Sequence, residues 1–263
     1  MERQLWTREE FMLVMNLYTK IRYGQFNTNN SEVKKRASLI GKTPGAVAYK
    51  LVHFAGLDPF HKERGIKGLA NPGIKAVAIY NEFQENWNEM LYESEVLLAK
   101  AQNTTVEKTF FSKTELEKID ANIIGDKKGL DIKRLIKTRV NQTLFRKIVI
   151  NNYSNSCAIC GINLPELVIA SHILKWSDNE NERLNPSNGI CFCNTHDKAF
   201  ELGFISVNAD YNILISKKLD EISDKKTLDV VFYRHEKNKL IMPDKYFPNK
   251  DFLDMHYKNR FVQ

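Results

Sequence analysis

The chain has 263 residues, 43% of them hydrophobic, with 39 Lys and Arg against 32 Asp and Glu for a formal net charge of +7 at pH 7. That is enough apolar material for a sizeable core in one large or two small domains, and two are expected. No apolar run is long enough to cross a bilayer and no basic-plus-apolar leader follows Met1, so a soluble, cytoplasmic protein with no membrane partner is expected. The basic balance points weakly to a polyanionic partner.

The first hundred residues read as a helical domain over 1–100. Thr7 before Glu9 and Glu10 predicts an N-cap with acidic residues in the first turn, and Phe11, Val14, Met15 and Tyr18 follow at helical spacing. A second helix through Val33, Ala37, Leu39 and Ile40 ends near Gly41. Thr43 then caps a third, with Pro44 in its first turn and Val47, Leu51 and Phe54 on one face. Helix, Gly-containing turn and helix are the outline of a helix-turn-helix, which would bring Lys42, Tyr49, Lys50 and His53 within reach of a DNA groove. Three short amphipathic helices also make an ordinary small core, in which Tyr49 and His53 simply pack. After a Gly- and Pro-rich loop from Asp58 to Gly73, a helical period resumes from Ile74 to Leu98 through Val77, Tyr80, Phe83, Trp87 and Met90, an aromatic stripe that reads as core.

Residues 101–135 turn polar and form the expected linker, with breaks at Asn103 and at Gly125 to Gly129. From 127 to 147 the chain carries Lys127, Lys128, Lys133, Arg134, Lys137, Arg139, Arg146 and Lys147 against Asp131 alone. Such a run is either a solvated helix face or a phosphate-tracking stripe. Its neighbourhood bears on that choice. A helix from Val140 to Tyr153 leads into Cys157, Cys160, Cys191 and Cys193, all of the chain's cysteines in one short region. Clustering of this kind favours a metal over disulfides.

Cys157 and Cys160, two residues apart and followed by Gly161, have the form of a zinc knuckle. Cys193 and His196 repeat the spacing, so the four would complete a tetrahedral set of three thiolates and one imidazole. Cys191, between Ile190 and Phe192, reads as buried. Between the pairs, an apolar run from Leu164 ends on His172, Asn185 to Gly189 make a turn, Ile190 to Phe192 a short strand, and Asn194 to Leu202 a short helix.

Strand, loop, strand and helix with these residues resemble the HNH nuclease family in its restriction-type form. The stretches that carry the resemblance run from Leu164 to Leu167, Ala170 to Ile173, Arg183 to Cys191 and His196 to Glu201. The fold class it implies is α+β, a helical N-terminal domain plus a C-terminal ββα-metal nuclease domain over 136–263 with its core at 157–208. Its implied chemistry is hydrolysis of double-stranded DNA with Mg²⁺ or Mn²⁺. The resemblance makes His172 the general base, with an ordinary pKa near ~6.5 that suits the task. It gives Asn188 the role of holding the loop between the strands, and places a cation on the helix against the scissile phosphate.

The sequence departs from the family pattern at Asp197, where many members have a histidine, and at Glu201 one turn on. Aspartate is a hard oxygen ligand suited to Mg²⁺ or Mn²⁺. If Cys157, Cys160 and Cys193 bind Zn²⁺, His196 is the fourth structural ligand and Asp197 holds the catalytic ion. Without zinc, His196 could itself be a catalytic ligand. Ser171 is at best a weak one. Stretches of the N-terminal half, from Gly41 to Leu51, His53 to Pro59 and Arg64 to Leu69, resemble a helical region that precedes the nuclease in some HNH restriction-type proteins, implying target recognition. Phosphate contacts are expected from Lys133, Arg134, Lys137 and Arg139. Cutting both strands with one active site per chain implies a homodimer or two encounters.

Overall fold

The computed structural model describes residues 5–66, 68–69, 71–116, 129–175, 179, 181–221 and 224–263, with only the backbone described at 129–132. Lys127 and Lys128 of the basic run and most of the expected break at 125–129 lie outside these residues, as does the Asp131 side chain. The chain divides into two compact units, Met1–Leu144 and Phe145–Gln263.

The first unit is helical. α1 (Arg8–Lys20) starts with a capping box: the Glu10 N–H donates to Thr7 Oγ1 at 3.2 Å and the Thr7 N–H donates back to the Glu10 carboxylate at 2.9 Å. α2 (Ser31–Leu39) ends in a Schellman turn, in which Gly41 takes φ +63° while the Lys42 N–H donates to the Ala37 carbonyl and the Gly41 N–H to that of Ser38. Thr43 caps α3 (Pro44–Leu57) through the Ala46 N–H. Val14, Met15, Tyr18, Val33, Val47, Leu51 and Phe54 are buried together with Ile79 and Phe83. The expected loop after Asp58 opens instead with the short α4 (Pro59–Glu63), whose first turn is capped by the buried Asp58.

The single helix expected from Ile74 to Leu98 is two, α5 (Ile74–Glu85) and α6 (Trp87–Ala101). Asn86 interrupts it, at φ −147° and ψ 70°, and its side chain accepts the Glu89 N–H to restart the ladder. A hydrophobic period cannot see such a break, because the apolar residues keep their spacing across a cap. Next comes α7 (Val106–Phe110). The long α8 (Gly129–Asn152) begins eleven residues before the expected Val140 and runs through the division between the units.

The second unit holds two antiparallel strand pairs. β1 (Val168–His172) pairs with β2 (Gly189–Cys193) in a register that sets His172 opposite Gly189 and Val168 opposite Cys193. The apolar run expected to be strand from Leu164 starts with a 3₁₀ turn at Pro165–Leu167, where Pro165 has no N–H to give a ladder. β2 is buried throughout and leads directly into α9 (Asn194–Glu201). β3 (Ile205–Val207) and β4 (Ile213–Ile215) form the second pair. α10 (Lys225–Val231) and α11 (Lys250–Arg260) complete the unit.

His256 in α11 fastens that helix to the others. Its Nε2–H donates to the Phe200 carbonyl at 3.1 Å, its Nδ1 accepts from the Ser206 hydroxyl at 3.0 Å, and its ring stacks on Phe200 at 3.7 Å. Burial lowers its pKa to about 4. Because the folded ring stays neutral, an unfolded chain binds a proton below about pH 6.5 that the native one refuses. Stability from this group is therefore complete above about pH 6.5 and is lost as pH falls toward 4, by at most roughly 3 kcal/mol. Melting temperatures between pH 7.5 and 5 should fall more steeply for wild type than for His256→Gln. Parallel curves would count against a neutral buried His256.

Candidate metal centre and active site

The turn at 157–161 folds Cys157 and Cys160 together: the Cys157 N–H donates to Ile162, the Gly161 N–H donates to the Cys157 carbonyl, and Gly161 itself sits at φ +74°. β2 delivers Cys193, and the first turn of α9 delivers His196. Their four ligand atoms lie within 4.8 Å of one another. Cys157 Sγ and Cys193 Sγ are 3.4 and 3.3 Å from His196 Nδ1, and Cys160 Sγ is 3.9 Å from Cys193 Sγ. A zinc tetrahedron has S···S edges of about 3.8 Å and S···N edges of about 3.6 Å, so the donors stand close to coordinating distance already.

The far side of the imidazole supports the same reading. The Nε2–H of His196 donates to the Val231 carbonyl at 2.9 Å, which keeps the Nδ1 lone pair on the sulfur side. Burial works against a charged His196, yet the Cys193 sulfur and Val231 carbonyl outweigh it and raise the pKa; sulfurs that draw a proton to the ring also draw a cation. Hydrogen bonding with Cys157, then burial, pushes the Cys193 thiol up to about 11. Thiols this crowded become thiolates together only around a cation. The cluster can thus hold a metal such as zinc. Cys191 is not among these four; it is fully buried in β2, and burial pushes its thiol up to about 12.

On the other side of α9, a cleft of about 500 Å³ is lined by Ala170, Ser171, His172, Lys175, Asp197, Glu201 and Arg260. His172 ends β1 with its ring stacked on Phe145 at 4.2 Å and 11°. Its Nε2–H donates to the Arg183 carbonyl at 2.9 Å, so the lone pair of the neutral ring is on Nδ1. Burial lowers the His172 pKa, against the pull of Arg183 and Asp197, and keeps the ring neutral near pH 7.

Asn188 does not reach the cleft. Fully buried, it accepts the Leu174 N–H at 2.8 Å and donates to the Glu182 carbonyl at 3.1 Å. It thereby ties the segment after His172 to the one that presents Arg183. Asp197 is half-buried in α9. Burial raises its pKa, and so does Glu201, while a hydrogen bond from Ser171 lowers it. A carboxylate penalised in this way gains by meeting a cation, and the hard oxygens of Asp197 and Glu201 fit Mg²⁺ or Mn²⁺. His196 stands with the cysteines, and Asp197 with His172.

The remaining sequence-derived candidates sit in the first unit. Lys42 is nearly buried, with its ammonium 3.2 Å from Glu10 and 5.4 Å from the Trp6 ring centroid. Lys50 lies over Trp6 and Phe11, and burial lowers its pKa. Tyr49 is exposed, edge-on to a buried His53. Lys133, Arg134 and Arg139 are exposed on α8, whereas Lys137 pairs with Glu89. Reading by residue type missed four contributors, among them Lys175, three residues past His172. Two others are main-chain carbonyls, at Arg183 and Val231, which side-chain patterns cannot reveal. The fourth, Arg260, stands far from the motif in sequence.

A sulfur-and-nitrogen cluster that could hold a metal and a cleft lined by imidazole and carboxylates thus meet on one short helix that follows an antiparallel strand pair. Residues 157–208 match the HNH endonuclease family (HNH_2), about a fifth of the chain. An HNH endonuclease domain points to nuclease activity on DNA. No curated protein matches the chain.

Proposed function

We propose that the protein is a metal-dependent endonuclease that hydrolyses double-stranded DNA, with its active site in the cleft between β1 and α9. The observation that carries this reading is the pairing of His172, its tautomer fixed by the Arg183 carbonyl, with Asp197 in one open cleft inside the region that matches the HNH family.

His172 Nδ1 takes a proton from the water that attacks phosphorus. As the new P–O bond forms, the bond to the 3′ oxygen breaks, and that oxygen leaves with a proton from solvent. The products are a 5′-phosphate and a 3′-hydroxyl. A divalent ion held by Asp197 with Glu201 would supply Lewis-acid stabilisation of the phosphate and leaving oxygen. Asn188 keeps the loop that orients His172 in place. Cys157, Cys160, Cys193 and His196 hold Zn²⁺ and fix β2 to α9.

Phosphate contacts come from Lys133, Arg134 and Arg139, exposed on α8, and target recognition belongs to the helix that exposes Tyr49. Lys133→Ala with Arg134→Ala should weaken binding and reduce the slope of log K against log salt by about 2; an unchanged slope would remove this segment from the interface. Restriction of foreign DNA is the setting suggested by the N-terminal stretches, and cutting both strands needs a homodimer or two encounters. The test is cleavage of supercoiled plasmid and of methylated and unmethylated phage DNA by zinc-loaded protein, with and without added Mg²⁺ or Mn²⁺. Cutting that requires the added ion supports the reading. DNA binding without cutting on all these substrates would favour a zinc-knuckle DNA-binding protein.

A further inference from the structure

The C-terminal helix reaches the cleft through a contact that glycine alone permits. Gly203, just past α9, sits at φ +79°, and a Cβ there would lie 2.0 Å from the Arg260 carbonyl oxygen. The Val262 N–H donates to the Gly203 carbonyl at 3.0 Å. One turn before Arg260, His256 is locked between Phe200 and Ser206, and Leu253 is fully buried. The main chain at 260–262 is thereby fixed against the end of the helix that carries Asp197 and Glu201, and Arg260 lines the same cleft as Ser171 and His172.

The charges in the cleft show what this arrangement serves. Asp197 and Glu201 contribute two negative charges, Lys175 and Arg260 two positive ones. Glu201 is already served by Lys198 on its own helix, at 2.8 Å. If the two acids hold a divalent ion, the summed charge of the cleft lining becomes +2. That surplus matches a phosphodiester, singly charged at rest and carrying more charge as the bond breaks. Arg260 supplies one of these charges as a permanent, delocalised cation carried on main chain that is fixed against Gly203.

Resting on the nuclease reading, we propose that Arg260 is a phosphate-binding residue of the active site, delivered by docking of the C-terminal tail on Gly203, with Lys175 as the second cation of the same phosphate site. It lies outside the matched region 157–208.

The test uses full-length, zinc-loaded protein and a fluorescein-labelled 20-base-pair duplex. Binding is followed by anisotropy from 50 to 200 mM salt without added Mg²⁺, and cleavage is measured separately with it. Arg260→Gln should reduce the slope of log K against log salt by about 0.9 and slow cleavage by about 100-fold, at an unchanged melting temperature. Arg260→Lys should restore the slope but only part of the rate, because a compact, strongly hydrated ammonium replaces a planar, weakly hydrated cation. If Arg260→Gln does not fold, Arg260→Met keeps the apolar stem and replaces it. Wild-type slope and rate in the neutral variant would overturn the assignment while leaving the nuclease reading intact. A wild-type protein that binds but never cuts would sink the nuclease reading, and the slope alone would then decide Arg260. Absence of both binding and cutting would end both.

Discussion

His172→Ala is expected to lower metal-dependent DNA cleavage by about 10²–10⁴-fold while leaving DNA binding, zinc content and melting temperature close to wild type. The size follows from what the ring does. A positioned base contributes in that range, and His172 is positioned on three sides: by the strand that ends on it, by Phe145 stacked on its face, and by Arg183 at Nε2. Removing the imidazole leaves Phe145 partly uncovered and the Arg183 carbonyl short of one donor, near the edge of an open cleft where water can replace it. The structural cost is therefore small beside the catalytic one. The measurement is the single-turnover rate on a duplex at saturating protein, with anisotropy on the same duplex. A rate within about threefold of wild type would remove His172 from the role of base.

The second large effect lies on the other side of α9. Cys193→Ser should lose the zinc and unfold most of the second unit at 37 °C. Structural zinc in small knuckles contributes about 10–16 kcal/mol of apparent binding energy near neutral pH, more than a domain of this size has to spare. Cys193 is decisive because it ends β2 opposite Val168, is the residue immediately before α9, and lies against both Cys160 and His196. The helical first unit has its own core, so circular dichroism should show partial, not complete, loss of helix. Metal analysis of the purified protein gives the stoichiometry, expected to be one zinc per wild-type chain. A variant that stays folded without zinc would mean the cluster does not support the fold.

Local signals carried most of what could be read without a structure. The caps at Thr7 and Thr43, the stop at Gly41, the paired Cys-x-x-Cys and Cys-x-x-His and the strand ending on His172 are all short-range patterns, and short-range patterns survive in a linear string. The interruption at Asn86 was missed because a cap inside an aromatic stripe leaves the apolar period unbroken. Lys42 shows a different limit. Its charge and its place before a capped helix suggested a groove contact, but Glu10 and Trp6, more than thirty residues earlier, nearly enclose it. Whether a lysine meets solvent or a carboxylate depends on tertiary packing, which composition does not record. The split between His196 and Asp197 could be posed from the sequence but not answered, since neighbours on a helix point about 100° apart and only the fold says which side holds the sulfurs.

The carbonyl of Val231 bears on how portable the catalytic motif is. A graft of residues 157–208 into another scaffold would carry Cys157, Cys160, Cys193 and His196 together with His172 and Asp197. Left behind would be the acceptor that sets the His196 tautomer, the Ala158 anchor supplied by the Ile241 N–H at 2.8 Å, and the tail that docks on Gly203. The boundaries of the recognisable motif and of the smallest self-supporting piece are therefore different, and any minimal version has to include Val262, whose N–H meets the Gly203 carbonyl.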